Sequence, residues 1–215
     1  MTRREFCRDT AAVALLSSAG CSKTEARETR KNQKGNVVMN FNELIEARRS
    51  VRKYAKSDIS SKELEAIVVD ALNAPSWKNS ETTRYYAANS DAAKKRMWEE
   101  ALPAFNVASS ANAAALVAVT FVPGESGFLD GTPSDSLGNM WGAYDCGLAS
   151  SYFILAAKNH GWDSLIMGIR NEKKVREIFS IPEKEILLSV IAVGKSAQKY
   201  MKVPRKKVSE VLKIA

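Results

Sequence analysis

The sequence predicts an α+β fold, and three observations carry that expectation. Helical and strand patterns intermix without the regular alternation that a doubly wound parallel sheet requires. Two continuous apolar runs of strand length, Ala113 to Val122 (AAALVAVTFV) and Ile186 to Val193 (ILLSVIAV), suit strands buried on both faces. A third, longer run, Asn139 to His160, is apolar almost all round, as in a central helix or a subunit contact.

The remaining elements follow in chain order. Asn40 stands as an N-cap before Phe41, Leu44, Ile45 and Arg48 at helical spacing. Ser60 with Glu63 forms a capping box ahead of Leu64, Ile67, Val68 and Ala71, and Pro75 closes that helix. Arg84 to Ala88 has the composition of a short aromatic strand, and Asp91 to Leu102 that of a charged helix ended by Pro103. Phe128 to Leu137, rich in Gly, Pro, Ser and Asp, predicts a loop. His160 and Gly161 end the long helix, the first complementing its dipole and the second supplying a left-handed cap. Glu172 to Phe179 predicts a short helix stopped by Pro182, and Lys199 to Ala215 is a basic tail.

Composition narrows the function classes. The 215 residues are 45% hydrophobic and 26% charged, which suits a globular chain with its own core. No apolar run approaches the ~20 residues of a spanning helix. One His and three Cys leave too few soft ligands for a zinc or iron–sulfur centre, so no metal is expected. Residues 1–36 hold eight Lys or Arg against four Asp or Glu, half of the net charge of +8. The body, from residue 37 to 215, is therefore only mildly basic. A solvated surface with a pocket for one small anion accounts for that excess, and nucleic acid is not the expected partner.

The first 21 residues have the order of an export address. A twin arginine (Arg3, Arg4) and Phe6 precede the apolar stretch Ala11 to Ala19, and Ser18-Ala19-Gly20 lead into Cys21. This resembles a twin-arginine lipoprotein signal that would acylate Cys21 and anchor the chain to a membrane; without it the chain would stay in the cytoplasm. Residues 22–36 read as a charged, flexible spacer, leaving Cys146 as the single thiol of the body.

Several common catalytic motifs are missing. Gly194-Lys195-Ser196 follows a strand, but a phosphate loop needs Gly where Ser189 stands. There is no G-x-G-x-x-G and no G-x-S-x-G. Chemistry concentrates instead at Arg48-Arg49-Ser50-Val51-Arg52, where three guanidiniums and a hydroxyl can grip a phosphate dianion. A second basic cluster, Arg205-Lys206-Lys207, lies far along the chain, and a polar turn, Ala74 to Asn79, lies between them.

The ordered blocks ARRSVRKY, APSWKNS, SSANAAALVAV, CGLASSYFILAAKNHGWDSLIMGI and the PRKK tail together resemble the flavin-dependent nitroreductase family, over about residues 40–212. The resemblance implies a central, mostly antiparallel sheet flanked by helices, in a homodimer with FMN at the interface. Transferred position by position, Arg48 and Ser50 would bind the FMN phosphate with Arg205 and Lys207, and Arg49 would join that set. Arg52 would face the pyrimidine end of the flavin and Asn106 would set its amide against that ring. Ile166, Met167, Gly168 and Ile169 would lie along the isoalloxazine, with the Gly168 N–H at flavin N5. Pro75, Ser76, Trp77 and Asn79 would complete the site from the other subunit, near Asp145 and Leu148. Glu81 and Ser109 depart from the family pattern, and they bear on acceptor and potential. The implied activity is hydride transfer from NAD(P)H through FMN to a nitroaromatic, a quinone or a similar small acceptor, by a ping-pong mechanism. Reductive dehalogenation or alkene reduction on the same scaffold, and a non-enzymatic basic module that docks on nucleic acid or anionic membrane, stand as the alternatives.

Overall fold

Strand pairing organises the chain around one long strand near its end. The computed structural model describes residues 39–215. The expected export signal over 1–21, its acyl site Cys21 and the spacer 22–36 lie outside the described residues. Helices α1 (Phe41–Ala47) and α2 (Ser61–Ala71) both begin with a reciprocal capping box, Asn40 with Glu43 and Ser60 with Glu63. Between them lies the two-residue strand β1 (Tyr54–Ala55).

After β2 (Thr83–Ala88) the chain departs from expectation. The helix predicted over 91–102 is α3 (Asp91–Arg96) followed by a π turn at Met97–Ala101. Pro103 does not simply end it: Pro103 is the N-cap of a further helix, α4 (Ala104–Ser110), which the pattern had not suggested. Strand β3 (Ala115–Phe121) follows, and the expected loop at 128–137 contains a small hairpin of β4 (Phe128–Leu129) and β5 (Thr132–Pro133). Helix α5 (Met140–Asn159) ends at Gly161, whose φ of +80° is the left-handed cap that favours glycine. His160 lies 2.8 Å from Asp70 of α2, tying the ends of the two helices. The chain closes with β6 (Asp163–Met167), α6 (Glu172–Phe179), β7 (Ile186–Ser196) and the short α7 (Val208–Val211).

The sheet runs β1-β7-β3-β2, with β6 also on β7, and every strand pair is antiparallel. Residues 190–193 of β7 take β3 on one side and β6 on the other, and residues 195–196 take β1. Both faces are covered, which is why β3 and β7 carry no polar alternation. Leu116, Ala118, Val190 and Ala192 pack with Met97 and Val175 on one face. Val117, Val119, Ile191 and Val193 pack with Ile67, Cys146 and Phe153 of α2 and α5 on the other. The result is an α+β fold with an antiparallel sheet between helical layers.

Helix α5 lies close against β3 because residue 142 is glycine. A Cβ at Gly142 would stand 2.6 Å from the Phe121 ring. Gly142→Val should therefore cost about 1–3 kcal/mol through overpacking. Thermal unfolding followed by circular dichroism should show a fall of roughly 2–4 °C for each kcal/mol; an unchanged Tm would contradict the close packing.

Candidate functional site

The arginine run is positioned by the residues that alternate with it. Val51 is buried and donates its N–H to Ser164 O at 3.0 Å, while Tyr54 is buried where β1 meets β7. The extended chain therefore turns Val51 inward and leaves Ser50 and Arg52 exposed. Beyond β7 the tail comes back to the same place. Ala197 N donates to Lys53 O at 2.9 Å, Arg52 N donates to the Tyr200 hydroxyl at 2.8 Å, and Lys202 pairs with Glu46 of α1 at 2.6 Å.

These contacts enclose a cavity of about 370 Å³ lined by Arg48, Arg49, Ser50, Arg52, Tyr200 and Arg205, among others. Five basic side chains line it against a single carboxylate, Glu46, and Lys202 engages that carboxylate. Partial burial holds the Arg48 guanidinium below its ordinary pKa, and repulsion from Arg205 and Arg49 adds to the effect. The Arg49 Nε is buried without an acceptor among the described residues. Arg49 otherwise donates through Nη1 to Arg48 O at 2.7 Å, and Arg52 donates to Ser50 O at 3.2 Å. Crowded cations with an unsatisfied buried donor make a site for an anion. Lys207 does not line the cavity; it caps α7, its N–H donating to Glu210 at 2.9 Å.

A second group gathers where β6 ends. Ile166, Gly168 and Ile169 are exposed, with the two isoleucine side chains 46% and 65% accessible, an apolar ledge beside a glycine. Met167 differs from expectation: strand alternation turns its side chain into the core, where it is 2% exposed. Asn106 is also largely buried, and its Nδ2 donates to Ile169 O at 2.7 Å. Its amide nitrogen therefore supports the ledge from within.

The polar turn forms a third group. Trp77–Asn79 is a single 3-10 turn, and Lys78, Asn79 and Glu81 all have positive φ, of 48°, 56° and 48°. Such strain persists only where the surroundings fix it, and it concentrates at functional sites. Here the Ser76 hydroxyl accepts from Glu81 N at 3.0 Å, and Asp145 holds the start of the turn. Its carboxylate is buried and accepts from Trp77 N at 2.9 Å and Ser126 Oγ at 2.7 Å. Asp145 thus grips the protein's own main chain, while Leu148 stands half-buried further along α5. Trp77 packs on Trp141 at 5.0 Å between ring centroids, and its Nε1 is buried without an acceptor among the described residues. Glu81 is held within the turn: its carboxylate accepts from Asn79 at 2.8 Å and its carbonyl from Arg84 at 2.7 Å.

The structure thus unites Arg48, Arg49, Ser50, Arg52 and Arg205, which lie at opposite ends of the sequence. No residue of the 75–79 turn, the 166–169 ledge or α5 lines the arginine cavity within this chain. Sequence reasoning missed the closing role of Tyr200 and Lys202. An aromatic within a basic tail was the available signal. A larger cavity of about 580 Å³, between α2 and β2, is mostly apolar and contains none of the expected site residues.

With this fold and site, the chain belongs to the nitroreductase family, whose pattern it matches over residues 45–195. A relative from Archaeoglobus fulgidus, named as a candidate NADH dehydrogenase/NAD(P)H nitroreductase, is 32% identical over 156 residues, which span 70% of this chain and 82% of that relative. Among solved structures, a candidate nitroreductase of Exiguobacterium sibiricum in complex with FMN superimposes with a TM-score of 0.73 at 20% identity, over 87% of this chain and 100% of that one. A gut-bacterial enone reductase of fatty acid saturation gives a TM-score of 0.69 at 20% identity, over 83% and 99% of the two chains. At these identities the two structures establish the shared fold.

The Asp145 anchor is testable in isolation. Asp145→Ala leaves Trp77 N without its acceptor and Ser126 with only the Ser80 hydroxyl as partner, at a cost of about 1–3 kcal/mol. Amide exchange across residues 76–81 should accelerate while the Arg52–Tyr200 contact stays protected. Equal protection of the turn in both proteins would contradict the anchoring role.

Proposed function

We propose that the protein is an FMN-dependent oxidoreductase that takes reducing equivalents from NAD(P)H and passes them to a small acceptor, working as a homodimer. The observation that carries this reading is the arginine cavity: a cluster of mutually repelling cations, lined by a single carboxylate, with a buried guanidinium N–H that has no acceptor among the described residues. A phosphate monoester dianion fits that donor set, through forked contacts from Arg48 and Arg205 and the exposed Ser50 hydroxyl. The 166–169 ledge fits a flat, largely apolar ring system, with Ile166 and Ile169 excluding water from one side and the exposed Gly168 offering its N–H. Bound FMN would supply the chemistry the side chains lack, accepting a hydride from the nicotinamide and releasing it to the acceptor. The chain's own work is then to hold the phosphate, shield one ring face and leave the other open.

The family relationship and the FMN complex of the Exiguobacterium sibiricum neighbour both support the cofactor assignment. Two features support the homodimer. The strained turn with Pro75, Ser76, Trp77 and Asn79 is built as a rigid presenting element, yet it stands outside the arginine cavity of its own chain. Helix α5 also keeps an apolar stripe on its open side, where Met140, Tyr144 and Tyr152 are 58%, 60% and 41% accessible. A second copy brought together along that stripe would bury it and would carry the turn toward the first copy's ledge. The acceptor is to be found by reoxidation of the reduced protein with a nitroaromatic, a quinone and an enone. The enone belongs in the panel because an enone reductase shares this fold.

Two outcomes are expected. Arg48→Ala and Arg205→Ala should fold normally and bind FMN about ten- to hundredfold more weakly, the loss of one charge-assisted hydrogen bond of roughly 1.5–3 kcal/mol. Flavin fluorescence titration reads this directly, and unchanged affinity in both variants would place the phosphate elsewhere. Sedimentation of the FMN-loaded protein at nanomolar concentration should give a dimer. A monomer that retains its flavin would contradict the shared site.

A further inference from the structure

Trp77 is the aromatic residue of the strained turn, and no hydrogen bond fixes its ring. Its Nε1 is buried without an acceptor among the described residues, so packing must place the indole. The ring it packs on is that of Trp141, in the first turn of α5, with centroids 5.0 Å apart and planes tilted by 50°. Trp141 also meets Tyr144 edge-on at 5.9 Å. The torsion that turns an indole about its bond to Cβ is broad and roughly twofold, so packed neighbours alone do not choose one orientation. A directional contact does. Trp141 Nε1 donates to both oxygens of the Asp135 carboxylate, at 2.9 and 3.1 Å.

Asp135 is itself held in place. Its Oδ1 accepts from Leu137 N at 2.9 Å, and Ser134 donates to Gly127 O from N at 2.8 Å and from Oγ at 2.9 Å. Gly127 lies directly against Trp141, where a Cβ would stand 2.5 Å from the indole ring. Ser126, one residue earlier, gives its single hydroxyl proton to Asp145 at 2.7 Å. Across the 2.8 Å contact between the two serines, Ser80 is therefore the donor. The segment 124–138 thus reaches the turn by two routes, through Ser126 to Ser80 and through Trp141 to Trp77.

We propose that Asp135 is a positioning residue: by holding the Trp141 indole N–H it sets the surface on which Trp77 rests, and so fixes the aromatic side chain of the presenting turn. This rests on the reading that the turn completes the flavin site of the second copy. Asp145 holds the main chain of the turn at Trp77 N, and Asp135 acts on its ring. Without the Asp135 carboxylate the Trp141 indole turns over between orientations and Trp77 follows. Only a fraction of the molecules then present the turn ready to bind, and apparent affinity falls by that fraction.

The experiment compares full-length wild type, Asp135→Ala, Trp141→Phe and the double variant. Glu125→Ala is the control, since it removes an exposed carboxylate of the same segment. Two indoles this close couple their transitions and give an exciton couplet in circular dichroism, which Trp141→Phe should abolish. In flavin-free Asp135→Ala the couplet should shrink, and saturating FMN should restore it. The FMN dissociation constant should rise about fivefold, as when about one-fifth of the molecules keep the competent arrangement. Glu125→Ala should match wild type in both readouts. Trp141→Phe keeps an aromatic ring but has no N–H for Asp135 to hold. In that background Asp135→Ala should therefore weaken FMN no further. An unmoved couplet or an unmoved affinity in Asp135→Ala would overturn the proposal, and so would losses that multiply in the double variant. Wild-type protein that shows the couplet but binds no FMN would instead overturn the functional reading beneath it.

Discussion

One strand sets the position of nearly everything that matters chemically. β7 is long enough to take β3 along one edge and both β6 and β1 along the other. Its pairing with β6 ends where the exposed Gly168 begins, and Leu187 O on the same strand receives Arg170. Its pairing with β1 aligns the extended arginine run, and the chain leaving Ser196 comes straight back over that run. The arginine cavity and the apolar ledge are therefore held in register with one another, because β1 and β6 both pair with one strand buried on both faces. Sites on such scaffolds hold their geometry better than sites on free loops.

Charge is the second constraint, and it works against the unliganded protein. Arg48, Arg49 and Arg205 repel one another, and the one carboxylate at the cavity is already engaged by Lys202. Nothing in the fold requires these cations to be neighbours. The bonds that bring them together, Arg52 N to Tyr200 and Lys202 to Glu46, stand at the cavity wall and do not engage the guanidiniums of Arg48, Arg49 or Arg205. The arrangement is economical for binding: a dianion that enters relieves repulsion as well as forming hydrogen bonds. Strain is kept apart from it, in the 76–81 turn, where three residues are left-handed, the buried Asp145 carboxylate holds Trp77 N and the Ser76 hydroxyl holds Glu81 N.

Much of this was legible in the sequence, for identifiable physical reasons. The capping boxes at Asn40 and Ser60, the apolar runs of β3 and β7, and Gly161 after the long helix are local signals, and the local structure follows them. The arginine run was legible as a local concentration of cations, and the fold adds Arg205 to it. What escaped depends on distant partners. The π turn at Met97–Ala101 and the helix beyond Pro103 follow no apolar period of their own. Met167 was placed with the flavin-facing segment, but strand alternation turns it into the core. Asp145 and Asn106 carried no local sign that each would grip the protein's main chain instead of a ligand, since the Trp77 N–H and the Ile169 carbonyl reach them only in the folded chain.

The central claim is that the arginine cavity recognises the phosphate of a flavin mononucleotide rather than the flavin ring alone. The most direct measurement compares the affinity of the purified protein for FMN and for riboflavin, which share the ring and differ by the phosphate, at two salt concentrations. The account predicts that FMN binds at least about a hundredfold more tightly, as expected when two or more charge-assisted contacts of roughly 1.5–3 kcal/mol each are lost. It also predicts that the advantage shrinks as salt rises. Equal affinity for the two flavins, with no dependence on salt, would contradict it.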